Sequence, residues 1–178
     1  MSDFRIALRP ALGSATGPAS RGVSLTAMPE GHVVQVLGRR PHAPDLSGVL
    51  EKAAGPAHRA VHAAGPGQWF IVGDAPLSRD EFAALSAALQ PHATAVDQSH
   101  GRIRIRVEGT MVERMLAKGT AVDLDPGAFP VGTSAMTLLG HVSVHLTRIE
   151  IAVFEIMVLR GFAESLWEDL VRMSAEFA

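Results

Sequence analysis

Arg102-Ile103-Arg104-Ile105-Arg106-Val107 is the stretch that decides the class of fold. Charged and branched apolar residues alternate strictly there. Successive side chains on a β-strand point to opposite faces, so the run predicts a strand with one apolar and one cationic side. Like charges two residues apart repel one another unless water or acidic groups screen them. Two readings follow. The cationic side is either a solvated outer face, as on most half-buried sheets, or a docking face for an acidic partner, to which guanidinium forks are suited. Arg102, Arg104 and Arg106 are therefore the candidate partner-interface residues.

Outward from this strand the pattern continues. Upstream, Thr94 to Val96 reads as a strand joined to it by Asp97-Gln98-Ser99-His100-Gly101. Before that, Ser78 with Glu81 forms a capping-box signature for a helix carrying Phe82, Leu85 and Leu89, which Pro91 ends. Gln68 to Gly73 is a compact apolar run that reads as a buried strand. A short helix is expected from Asp45 to Ala54, with Asp45 as N-cap and Leu46, Val49 and Leu50 on one face. Strands at Val23 to Met28 and His32 to Leu37 flank the turn Pro29-Glu30-Gly31. Pro10 to Ser20 has linker composition, and Phe4, Ile6 and Leu8 before it have strand-like spacing.

Downstream, Met111, Val112, Met115 and Leu116 give a helix between Gly109 and Lys118, with Gly119 as its C-terminal cap. Strands are expected near Ser134 to Leu139 and Val142 to Leu146, then a long strand ending at Arg160. Phe162, Leu166, Leu170, Met173 and Phe177 recur at helical spacing and predict a closing amphipathic helix. No internal repeat or heptad run is visible. Strands and helices alternate irregularly, and short turns join several strands. The expectation is an α+β fold of mostly antiparallel sheets with three to four packed helices. Residues 1–20 would form a flexible or extended N-terminal arm, and 21–178 a single domain or two closely packed lobes at 21–95 and 96–178.

Composition narrows the functions. With 178 residues, 47% hydrophobic and 19% charged, the chain is long enough and apolar enough for a real core. A net charge of −2 gives no electrostatic case for nucleic acid. Cysteine is absent, which removes disulfides, thiolate metal sites and a thiol nucleophile and fits a reducing compartment. Met1 to Pro10 lack an uninterrupted apolar core, and Ile149 to Leu159 is interrupted by Glu150 and Glu155 and is too short to span a bilayer. A soluble cytoplasmic protein is expected.

The chemistry-bearing residue types give little. Asp97, Ser99 and His100 crowd one loop, whereas the members of a hydrolase triad come from separate elements, and Asp and Ser are ordinary turn formers. His58 and His62 stand four apart without an H-E-x-x-H context. His141, Ser143 and His145 would share one strand face, but two imidazoles lack the third ligand of a metal site and read as pH-sensitive surface or interface groups. Gly65-Pro66-Gly67 precedes a strand and not a helix, and its proline removes an N–H that an anion cradle needs. No catalytic, cofactor-binding or metal residues are assigned to this chain.

Read in order, several pieces resemble the gamma subunit of heterotetrameric sarcosine oxidases. They are Trp69-Phe70-Ile71-Val72-Gly73, Val96-Asp97 with Ser99-His100-Gly101-Arg102, Gly109, Leu116 with Lys118-Gly119, and Asp123-Leu124 with Pro126. Phe129-Pro130 with Gly132, Val144 with Leu146 and Arg148, and the stretch Phe154 to Leu166 complete the set. That subunit is in turn similar in fold to the folate-binding part of the glycine-cleavage aminomethyltransferases. Active members of that family carry an acidic residue just after the glycine corresponding to Gly140; here Ser143 takes that place. A serine supplies neither the charge nor the general base that folate chemistry requires at neutral pH.

The resemblance implies a non-catalytic assembly subunit of a complex that oxidatively demethylates sarcosine to glycine, forming hydrogen peroxide and 5,10-methylenetetrahydrofolate. FAD, FMN, NAD, zinc and tetrahydrofolate would belong to the partner subunits, and this chain would pack mainly on alpha, with beta and delta in the same complex. Such a subunit should expose an apolar patch larger than monomers usually show. The alternatives are a free-standing folate-binding or one-carbon transfer protein and, less supported, a hydrolase using Ser99 and His100.

Overall fold

Ile103, Ile105 and Val107 are all buried, as the alternation of their strand requires. In contrast, Val33, Val34 and Val36, and likewise Phe70, Ile71 and Val72, are buried on both sides of their strands. A strand loses both faces to the interior only when layers cover it above and below. The computed structural model, which describes residues 9–13, 15–39, 46–55 and 60–177, supplies those layers.

The elements run β1 (Ser24–Ala27), β2 (His32–Gly38), α1 (Ser47–Ala54), β3 (Ala60–Gly65), β4 (Gln68–Gly73), α2 (Arg79–Ala88) and β5 (Ala93–Asp97). They continue with β6 (Arg102–Glu108), α3 (Val112–Leu116), β7 (Ser134–Leu139), β8 (Val142–Glu150), β9 (Val153–Leu159) and α4 (Ala163–Ser174). One sheet has the order β1-β6-β9-β8-β7 and the other β3-β4-β2-β5, all pairs antiparallel. The α+β class is as expected.

The larger core places Met115 and Leu116 of α3 and Leu166 and Leu170 of α4 against Ile105, Leu146 and Ile156 of the first sheet. A second core packs Leu50 of α1 and Leu85 of α2 against Val34, Val36 and Ile71 of the second sheet. Between the sheets lies a smaller cluster of Val33, Phe70, Val72 and Met157. The result is four layers: helices, sheet, sheet, helices. No helix among the described residues is long and apolar enough to cross a membrane.

Several expectations change in detail. The strands either side of Pro29-Glu30-Gly31 are not a hairpin, since β1 pairs with β6 and β2 with β4 and β5. Likewise the loop from Asp97 to Gly101 carries the chain from one sheet to the other. The long strand before Arg160 divides at Ile151-Ala152 into β8 and β9, which pair with each other. The linker-like segment is laid on the core, with Leu12 buried and Ala19 bridged to Ser24. The Phe4-Ile6-Leu8 pattern, and Asp45 as N-cap, lie outside the described residues, and Leu46 occupies the N-cap of α1.

The C-cap of α3 is Ala117, and Gly119 closes the helix end two residues later, its N–H donating to the Leu116 carbonyl at 2.9 Å. A Cβ on Gly119 would stand 2.9 Å from Leu139 Cδ1 and 3.3 Å from Gly140 N, so a side chain would crowd the approach of the β7–β8 turn. The closing helix buries Ala163, Leu166, Trp167 and Leu170, while Phe162, expected on the same stripe, is 54% exposed ahead of its first turn.

Candidate functional site

The register places three rows of side chains on the face of the first sheet that looks toward the second. They are Leu138, Ser143, Leu159 and Arg102; then Met136, His145, Met157 and Arg104; then Ser134, Thr147, Glu155 and Arg106. The arginine side of β6 is therefore no plain outer face. Alternation predicted polar residues away from the hydrophobic core, and they are, but a second sheet covers them.

Arg104, 6% exposed, spends its guanidinium within this layer. Nη2 donates to Asp74 Oδ1 at 2.5 Å and to the Gly73 carbonyl at 3.1 Å, and Nη1 donates to Glu155 Oε2 at 3.3 Å. The β4 end approaches closely because residue 73 is a glycine, where a Cβ would lie 2.3 Å from the His32 ring. Burial raises the pKa of Glu155, and the positive charges of Arg104 and Arg106 oppose that shift. Arg106 is half-buried, and its Nε has no partner among the described residues. Docking through all three arginines is thus not what the layer offers, since Arg104 is already consumed by internal pairing.

Arg102 differs. Its Nε donates to Gln98 Oε1 at 2.7 Å, and its guanidinium carbon lies 4.8 Å from the centre of the Phe70 ring. Gln98 Nε2 donates to Gln35 Oε1 at 2.6 Å, and Gln35 Nε2 reaches Gln68 Oε1 at 3.4 Å. This amide chain holds Arg102 in one orientation. Partial burial lowers its pKa. Its neighbour Leu159 is 46% exposed and Leu138, further along the same row, is 55% exposed, so this end of the layer is open.

The histidines fall into separate places. His62 of β3 and His145 of β8 face each other across the sheets with ring centres 6.2 Å apart, a proximity that sequence spacing did not indicate. His145 Nε2 lies 2.8 Å from the Ala63 carbonyl, and since a carbonyl only accepts, Nε2 carries the proton. His62 Nε2 has no partner among the described residues. Burial, with the nearby charges of His145 and Arg104, lowers the His62 pKa to about 4. His141 instead sits in the exposed β7–β8 turn beside Asp169 and Arg172, and His58 lies outside the described residues. Among the described residues no three His, Cys, Asp or Glu side chains converge on a metal position.

The loop after β5 is a brace. Ser99 Oγ donates to Asp97 Oδ1 at 2.5 Å and accepts from the Val33 N–H at 3.1 Å, and the Ser99 N–H also donates to Asp97. Partial burial would raise the Asp97 pKa, but these hydrogen bonds hold it below its ordinary value. The hydroxyl is engaged on both sides and ties β2 to the loop. His100, Glu30 and Pro76 line a cavity of about 290 Å³ beside it. Gly65-Pro66-Gly67 forms the β3–β4 turn, and Ser143 is exposed on β8.

Sequence reasoning missed Asp74, Glu155, Gln35 and Phe70 as partners of the arginines. The one available signal was Glu155, a carboxylate inside an apolar run. It also missed Arg148, which is fully buried on the helix side of the first sheet. Arg148 donates to Glu113 Oε1 at 2.9 Å and to the carbonyls of Ile151 and Leu124, and stacks 4.5 Å from the Phe154 ring centre.

Two face-to-face antiparallel sheets, clad in helices and held by a buried ionic layer, define an α+β scaffold whose fold is similar to that of an aminomethyltransferase. The glycine cleavage system aminomethyltransferase T from Bartonella henselae superposes with a TM-score of 0.60 at 15% identity, over 83% of this chain and 45% of that one. The regulatory subunit of aspartate kinase from Thermus thermophilus gives 0.53 at 12% identity, over 85% and 96%. A chain of the heterotetrameric sarcosine oxidase from Corynebacterium sp. U-96, solved in complex with pyrrole 2-carboxylate, gives 0.79 at 22% identity, over 96% of both chains. The protein belongs to the sarcosine oxidase gamma subunit family, whose sequence model matches residues 56–176. No curated protein matches the chain by sequence.

Proposed function

We propose that the chain is an assembly subunit of a sarcosine oxidase complex and supplies surfaces, with the reaction centre in its partners. The family match over residues 56–176 carries this reading. The complex would convert sarcosine to glycine, with oxygen reduced to hydrogen peroxide and the one-carbon unit passed to tetrahydrofolate. FAD, FMN, NAD, zinc and the folate would be held by alpha, beta and delta, with alpha the main contact. A cysteine-free chain suits a reducing compartment, and we place the complex in the cytoplasm.

Two local observations support a role without chemistry. Ser143 is exposed and uncharged at the place where the resemblance to folate enzymes implies an acid. The Ser99 hydroxyl is locked between Asp97 and the backbone. The test is made on the purified chain alone, assayed for peroxide from sarcosine and titrated with tetrahydrofolate. Neither turnover nor tight binding is expected. Saturable folate binding would favour a free-standing one-carbon protein, and peroxide formation would overturn the reading outright.

A further inference from the structure

Of the three arginines on the inter-sheet face, only Arg102 is both oriented and open to an outside partner. Its Nε is fixed on Gln98, and its plane rests over Phe70. Nη1 and Nη2 have no acceptor among the described residues. The row to which it belongs, Leu138, Ser143, Leu159 and Arg102, carries no carboxylate, and its two leucines are about half exposed. Arg104 in the adjoining row cannot compete for a partner, because Asp74 and Glu155 already hold it.

We infer that this open end of the inter-sheet layer docks a segment of another subunit that presents a carboxylate flanked by apolar side chains. The inference rests on the assembly role proposed above and assigns that role a surface. Charge complementarity selects the occupant. A guanidinium held by one nitrogen and one ring face offers its remaining two nitrogens as a fork, and a carboxylate fits that fork in a bidentate manner. Half-exposed Leu159, paired with Arg102, supplies apolar area beside the ion pair, and Leu138 extends the apolar rim two strands further on. A second copy of this chain is a poor occupant, since a two-fold contact through the same patch sets Arg102 against Arg102.

The experiment uses the complex. The chain is tagged and co-expressed with its partner subunits, and captured partner is quantified. Arg102→Glu should lower capture on the order of tenfold or more, and Arg102→Lys by less. Arg79→Glu, exposed at the start of α2 on the far helix layer, should leave it unchanged. A second arm does not depend on an altered arginine. The sequence has no cysteine, so Ser143→Cys introduces a lone thiol. In the assembled complex it should resist maleimide, while Ala84→Cys, exposed on α2, reacts freely. Normal capture of Arg102→Glu together with free labelling of Ser143→Cys would overturn the inference and leave the assembly role standing. Failure of the unaltered chain to capture any partner would overturn both.

Discussion

Arg104 and His62 show what it means to place polar groups between two sheets. Removing a guanidinium and a carboxylate from water costs several kcal/mol per ion, so the Arg104–Glu155 contact adds little net stability. Its value lies in geometry, because Asp74, Gly73 and Glu155 converge on one side chain and fix how β4 meets β6. His62 has a consequence in pH. The unfolded chain takes up its proton near pH 6.5, whereas the folded chain resists until about 4. Stability is therefore full above the unfolded value, declines as pH falls through this window, and levels off below the folded value. The loss attributable to His62 is on the order of 3 kcal/mol. Urea unfolding between pH 7 and 4 checks this: His62→Leu should flatten the profile, and an unchanged slope would contradict it.

Helices were legible because their signals are local. The capping box of α2 forms as its sequence specifies, with Ser78 Oγ accepting from the Glu81 N–H at 3.2 Å and Glu81 answering on the Ser78 N–H at 2.8 Å. The α4 stripe was legible in its middle and wrong at its start. Leu170 is fully buried, so Leu170→Ala should cost about 2–5 kcal/mol. Phe162→Ala should cost less, on the order of 1 kcal/mol, because about half of that residue is in solvent. Urea unfolding followed by the fluorescence of Trp69 and Trp167 measures both, and equal losses would contradict the assignment. Strands were legible singly and not in their pairing. The four residues between β1 and β2 look like a short turn between paired strands, yet each strand finds its partners much further along the chain. Pairing is decided by which apolar faces meet in the finished core, and no local pattern encodes that choice.

At the scale of the molecule, the same limit explains the site. Alternation on β6 correctly separated apolar from cationic residues, but a period of two cannot tell whether the polar side meets water or a second sheet. Arg102 was thus legible as an interface candidate, while the burial of Arg104 awaited knowledge of four layers. The residues that complete the layer, Asp74, Glu155, Gln35 and Phe70, come from three strands or their ends and converge only on folding. What the layers leave at one end is an open rim with leucines and an unspent guanidinium fork, which suits a subunit that docks. Affinity capture of this chain after co-expression with the other subunits of its complex tests that account most directly. A yellow complex containing this chain and its flavin-bearing partners is expected; recovery of this chain alone and colourless, with the partners assembled and active without it, would contradict the account.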